Sequence, residues 1–280
     1  MLSMKPTQTW LTALALAFVS VSHGTSARAD LPELNEKPWL AHFAGFESRR
    51  FNFGYTSKGK GLLIPIGKSG SPVGHTLHLP IQIVVEETLP SGTVTAKQIK
   101  PETLETKDAA SDKFEKLSFT GKVTGDASFE AHLEVNRGVV SIGGRMLDPG
   151  TLTKNPVRFC IRVGVPSLYR YDSKDTKAFR DKVSRDELRL VWTDGKRLRV
   201  PGDEEVDARS PEVNGSGIAD LELNAAAYQG KKISLTATTG SSMALWHRHA
   251  QPLYEGFSIN WYPDPEKDPE GKSRLSFEVK

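Results

Sequence analysis

The chain has 280 residues, 38% hydrophobic, 25% charged and 8% aromatic, with 37 basic side chains against 34 acidic. That balance excludes a collagen-like, disulfide-rich or wholly disordered chain, and the single cysteine, Cys160, permits no internal disulfide. The 24 glycines and 17 prolines favour many short strands over long helices.

Residues 1–29 read as a secretory signal peptide. Lys5 supplies the positive end, Trp10 to Val21 form an apolar core too short to span about 30 Å of bilayer, and Ala27-Arg28-Ala29 gives a small-x-small cleavage pattern before Asp30. Without Lys5 and Arg28 the remainder holds 35 basic and 34 acidic residues. The basicity of the whole chain is then no argument for nucleic acid or an anionic membrane. No later apolar run reaches 18 residues. The expectation is a secreted or periplasmic protein with no transmembrane segment once the leader is gone.

Residues 30–56 read as an N-terminal extension: a polar lead-in, then an aromatic stretch with one helical turn and a strand carrying Phe51, Phe53 and Tyr55 at period two. Residues 57–280 read as the main domain. Leu62 to Ile66 is a short apolar run, and Leu77, Leu79, Ile81, Ile83 and Val85 alternate, with Pro80 marking an edge or a strand start. Residues 97–117 hold ten charges in 21 positions and read as an exposed excursion. Leu117 to Thr124 and Ser128 to Val135 alternate again, with a turn at Asn136-Arg137-Gly138 and a bulge or close backbone approach at Gly143-Gly144. Val157 to Val165 is the cleanest strand, with Arg158, Cys160 and Arg162 facing outward. Residues 172–187 read as one surface helix with a thin apolar face of Phe179 and Val183. A hairpin over 188–200 is expected to pair Trp192 with Leu198 around an Asp194-Gly195-Lys196 turn. Strands at 233–238, 243–249, 256–261 and 275–279 close the chain. Ten or more strands and one helix, with few βαβ alternations, predict an all-β antiparallel β-sandwich or jelly roll.

The segment Leu223-Asn-Ala-Ala-Ala-Tyr228-Gln-Gly230-Lys-Lys-Ile233-Ser-Leu235 resembles one found in secreted galactose-binding-like β-sandwich modules. There a leucine strand enters a short helical turn bearing a tyrosine, and a glycine with basic residues begins the next strand. The resemblance covers thirteen residues with one extra alanine. It implies a jelly-roll fold, and no sugar or calcium residue is carried over from it.

Several constellations bear chemistry. Glu130, His132 and Glu134 share one face of their strand, where such a row can meet a sugar or a metal. His247 and His249, at i,i+2 beside Met243, are a workable pair of copper or zinc ligands, and His75 and His78 supply further imidazoles, with His42 also available. Cys160 lies between two arginines that would favour its thiolate, but with no neighbouring histidine or helix N-terminus it reads as a buried, inert thiol. Trp246 is the tryptophan best placed to stack on a sugar, whereas Trp192 and Trp261 read as core. Gly67-Lys68-Ser69 lacks the upstream glycine of a phosphate loop, and no Gly-x-Ser-x-Gly elbow occurs. Acids such as Glu86, Glu87, Asp194 and Asp220 are present without a distinguishing pattern.

The resulting expectation is an exported, non-catalytic protein that binds carbohydrate or another cell-envelope component, or serves a structural surface role. No cofactor and no nucleic-acid partner are expected. The alternatives are a secreted polysaccharide-acting hydrolase and a histidine-based Cu or Zn protein.

Overall fold

A computed structural model describes residues 30–169, 176–207, 217–246 and 251–280. Residues 1–29, expected to form a leader, lie outside the described residues, as do His247 and His249. In chain order the strands are β1 (His42–Glu47), β2 (Phe51–Thr56), β3 (Lys60–Pro65), β4 (Leu79–Thr88), β5 (Val94–Glu105), β6 (Lys116–Val123), β7 (Ser128–Asn136), β8 (Val139–Asp148) and β9 (Val157–Val165). Helix α1 (Thr176–Val183) follows, then β10 (Glu187–Trp192), β11 (Arg197–Pro201), β12 (Glu205–Val206), β13 (Ile218–Asn224), β14 (Lys232–Ala237), β15 (Ser241–Trp246), β16 (Gln251–Pro252), β17 (Phe257–Pro263) and β18 (Arg274–Val279). The fold is all-β and antiparallel, as the alternation predicts.

Strands β1 to β8 pair in sequence order, and the path continues β18-β14-β13-β15-β17-β9. Strand β9 then pairs back onto β4, which closes the hydrogen-bonded path on itself. The closure is thinnest between β13 and β15, whose one register pair among the described residues is Ile218 with Met243. The β10–β11 hairpin adds to β13, and β12 pairs with β16 apart from the main sheet.

Alternation decides which side chains fill the interior. On β7, Phe129, Ala131 and Leu133 are fully buried while Glu130, His132 and Glu134 stay half-exposed. On β9, Phe159, Ile161, Val163 and Val165 point inward. Strands β7 and β9 are not hydrogen-bonded to each other, yet the Phe129 and Phe159 rings meet at 6.1 Å, so the two strands face each other across the core. The aromatic contacts continue from Phe43 through Phe119, Phe129 and Phe159 to Trp261, at centroid distances of 6.1 to 6.5 Å. Such edge-on and tilted packing aligns ring edges with ring faces and adds to the area each ring buries.

Several local expectations are adjusted. The stretch 97–117 begins inside β5, whose polar residues pair with β4 and β6; only the segment between β5 and β6 leaves the ladder. Residues 30–56 carry β1 and β2, which pair onto β3. The regular helix occupies Thr176–Val183 within the expected 172–187, and Phe179 packs edge-on against Tyr169 and Tyr254. In the β10–β11 hairpin Leu190, not Trp192, opposes Leu198. The loop is Thr193-Asp194-Gly195, with Gly195 at φ 86°, because a three-residue hairpin loop needs its left-handed residue last. The shift is two residues, so every side chain keeps its face. Gly143 and Gly144 do mark a close approach: a Cβ would strike the backbone oxygen of Ser273 at one and of Glu130 at the other.

The 223–235 segment folds as its local chemistry suggests. Strand β13 ends at Asn224, Ala225 stays extended, and a 3-10 turn places Tyr228 in the core. Gln229 and Gly230 are both left-handed and return the chain into β14. The turn is held from outside the segment. Asp186 Oδ1 accepts from the Ala226 amide at 2.9 Å, and the Tyr169 hydroxyl accepts from the Ala227 amide at 3.1 Å while donating to Asp186.

Candidate ligand-binding face

Strands β4, β9, β17 and β15 lie side by side, and their outward side chains form one continuous face. The register sets Glu86 opposite Arg158, Arg162 opposite both Gln82 and Asn260, and Trp246 opposite Ser258. Strand β4 has apolar residues on both sides, since Val84 and Val85 are each fully buried. A carboxylate that continues the outward row is therefore drawn beneath the surface, and Glu86 is 1% exposed.

A buried carboxylate needs donors on both oxygens. Glu86 Oε1 accepts from Arg162 Nη2 at 2.9 Å and Asn260 Nδ2 at 3.2 Å. Its Oε2 accepts from Arg158 Nε at 3.0 Å and the Tyr262 hydroxyl at 3.0 Å, with Arg158 Nη2 at 2.9 Å. The Tyr262 hydroxyl also accepts from Asn260 Nδ2 at 3.1 Å and Arg158 Nη2 at 3.0 Å. Burial, with the nearby Cys160 and Glu86, pushes the Tyr262 phenol well above its ordinary value, so it keeps the proton it donates. The Arg158 guanidinium lies over the Tyr262 ring, 3.8 Å from its centroid.

The upper surface of this network reaches solvent. The Arg158 side chain is 51% exposed and that of Arg162 21%. The Arg162 guanidinium sits 5.4 Å from the Trp246 ring, which is itself 45% exposed at the end of β15. Beside Trp246 opens a cleft of about 350 Å³ lined by Pro80, Pro166, Phe257, Ser258 and Glu255. An aromatic plate, fixed cationic donors and a shallow apolar cleft thus share one face.

The remaining sequence candidates lie elsewhere. Glu130, His132 and Glu134 project from the outer face of β7, the side opposite Phe129. Because Phe129 and Phe159 meet inside, this row and the Arg158 row lie on opposite outer faces, and Trp246 is not brought to the Glu130 row. Each member has its own partner: Arg145 Nε donates to Glu130 at 2.7 Å, Arg274 Nη2 to Glu134 at 2.9 Å, and His132 Nδ1 is 3.0 Å from Ser118 Oγ. A groove of about 430 Å³ runs beside them, with Asp108, Ser118 and Thr120 in its wall. Burial, reinforced by Arg274, holds the His132 imidazole below its ordinary value.

His75 opens a 3-10 turn (His75–Leu77) before β4, and His78 caps its end, with its Nε2 hydrogen-bonded to the Val73 carbonyl at 3.1 Å. Met243 is buried in the core. Among the described residues no three His, Cys, Asp or Glu side chains come together as a metal site. Cys160 is fully buried, in line with the inert reading. Burial, aided by the Glu86 carboxylate, pushes its thiol well up and outweighs Arg162 and Arg158. Trp192 and Trp261 are core residues, as expected. Asn260 and Tyr262 carry no local motif, and only their alternation on β17 with Ile259 and Trp261 points them outward.

No helix among the described residues is long and apolar enough to cross a membrane. No family model matches the chain, and no curated protein does. Among solved structures the chain is similar to the α-N-acetylgalactosaminidase NagBb of Bifidobacterium bifidum. Its complex with GalNAc aligns with a TM-score of 0.49 and its complex with Gal-NHAc-DNJ with 0.51, both at 12% identity. In each case 84% of this chain is covered and 36% of the enzyme chain, so the present chain spans about a third of that enzyme's length. At this identity the likeness is one of fold: the β-sandwich built here recurs as part of a larger chain.

Proposed function

We propose that this is an exported, non-catalytic β-sandwich protein that binds carbohydrate on the β4-β9-β17-β15 face. The observation that carries the reading is the exposed Trp246 ring beside Arg162 and the cleft. A sugar offers C–H groups on its faces and hydroxyls on its rim. A half-exposed indole covers the former while guanidinium N–H groups reach the latter. The donors are positioned in advance, because Glu86, Asn260 and Tyr262 fix both arginines, and preorganisation lowers the ordering cost of binding.

Binding is favoured over hydrolysis by what the carboxylates are doing. Glycoside cleavage uses one acid held protonated and a second carboxylate across the scissile bond. Glu86 is enclosed by donors, and Glu130 and Glu134 are paired with arginines. The solved structure that aligns with a TM-score of 0.51 is named an α-N-acetylgalactosaminidase, in complex with Gal-NHAc-DNJ. A carbohydrate-linked role is in keeping with that, whereas the whole enzyme's reaction is not assigned to a third of its length. The test is a glycan array probed with the full chain, with reducing-sugar release measured on every glycan that binds. Binding without release supports the reading. Sugar release replaces it with the hydrolase, and absence of any glycan binding overturns it.

A further inference from the structure

We propose that the glycan recognised on this face is acidic, its carboxylate seated on the outer edges of Arg158 and Arg162. The inference rests on the carbohydrate reading above and adds the class of ligand.

Charge within the Glu86 network does not balance. One carboxylate, Glu86, serves two guanidiniums, and arginine stays protonated in proteins. The network therefore keeps one net positive charge at an exposed surface. The two guanidiniums also converge: Arg158 and Arg162 are four residues apart on β9, yet each places Nη2 within 2.9 Å of the same carboxylate. Their inner edges are used by Glu86, Asn260 and Tyr262. The Nη1 group of each donates to no acceptor among the described residues, and both side chains reach solvent, so each guanidinium keeps N–H donors for a further acceptor. A ligand carboxylate can take an N–H from each of the two converging guanidiniums, and such charge-assisted bonds are about twice as strong as neutral ones. Trp246, next to Arg162, can carry the ring that bears the acid. Glu255 also lines the cleft and repels an acid placed against it, which directs the carboxylate to the arginine side.

The decisive experiment measures binding of the full chain to uronate oligosaccharides (galacturonate, glucuronate and mannuronate series), to their methyl esters, to neutral oligosaccharides and to dextran sulfate. The expected result is binding to at least one uronate series, at least about tenfold weaker for its methyl ester, weakening with added salt. R158Q lowers that affinity about tenfold or more, and R158K lowers it less, since lysine keeps the charge and loses the fork. Melting curves for both variants establish that they are folded. If R158Q fails to fold, the methyl-ester comparison on the native chain decides alone. Binding confined to neutral glycans overturns the acidic ligand and leaves the carbohydrate reading standing. Equal binding to dextran sulfate and the uronates shows general polyanion attraction and overturns carboxylate recognition. Binding to no glycan overturns both.

Discussion

Glu86 and Arg158 are register partners on antiparallel strands, and their side chains meet at 2.9 Å with the carboxylate buried and the guanidinium half in water. The pair joins a network that spans three strands and fixes the geometry of the exposed face above it. Its energetic weight follows from the asymmetry of burial. Removing the charge of Glu86 leaves two guanidiniums without a counter-ion, one of them mostly buried.

E86Q should destabilise the fold by about 3 kcal/mol, the low end for breaking a buried ion pair because both guanidiniums reach solvent. Urea unfolding followed by circular dichroism measures it. A loss below about 1 kcal/mol would show that the network contributes little to holding β4, β9 and β17 together.

Phe129 touches rings on both sides of it, Phe119 at 6.3 Å and Phe159 at 6.1 Å, and is fully buried. F129A should cost about 3–5 kcal/mol, because it removes apolar contact and leaves a cavity between two layers that cannot both close on it. The same unfolding experiment reads this. A change near 1 kcal/mol would mean that the layers collapse onto the gap and that the aromatic column is not the centre of the core.

His132 gives the fold a pH dependence with a definite sign. Its folded value lies below the ordinary 6.5, so between the two values the unfolded chain binds the proton and the folded chain does not. The contribution is whole above pH 6.5 and is lost as pH falls towards the folded value. Glu134 and Asp268, whose values are also held down, act in the more acidic range below the ordinary carboxylate values. The wild-type melting temperature should therefore fall as the pH is lowered from 7 through 6.5 towards 5. H132Q should be flatter over that interval. Equal slopes in both proteins would remove His132 as the cause.

Much of the architecture was legible because one face of most strands is wet. Phe129, Ala131 and Leu133 alternate with polar neighbours, as do Phe159, Ile161 and Val163, and that pattern survives any error in register. The exposed face was harder to read for the opposite reason. Glu86 follows Ile83-Val84-Val85, where both sides of the strand are apolar and alternation gives no direction. Its partners come from positions 72 and 176 residues away, so their convergence is a property of the pairing of β4 with β9 and of β9 with β17. The row Arg158, Cys160, Arg162 carried part of the signal. In sequence the row suggests only a local influence on the cysteine, whereas the arginines serve a carboxylate on the next strand. Strand β5 was missed because its two-sided polarity, with charges at 97, 100, 102 and 105, imitates a solvated loop.

Carbohydrate binding on this face depends on Trp246, and its removal is the sharpest test. Trp39, Trp192 and Trp261 are buried, so W246A deletes the one tryptophan that stands in solvent among the described residues, and the melting temperature should change little. Calorimetric titration of wild type and W246A with a glycan selected by the array is the measurement. Affinity should be at least about tenfold lower for W246A with the fold intact, about 1.4 kcal/mol of binding free energy. Unchanged affinity in a folded W246A protein would contradict it and place the binding surface elsewhere.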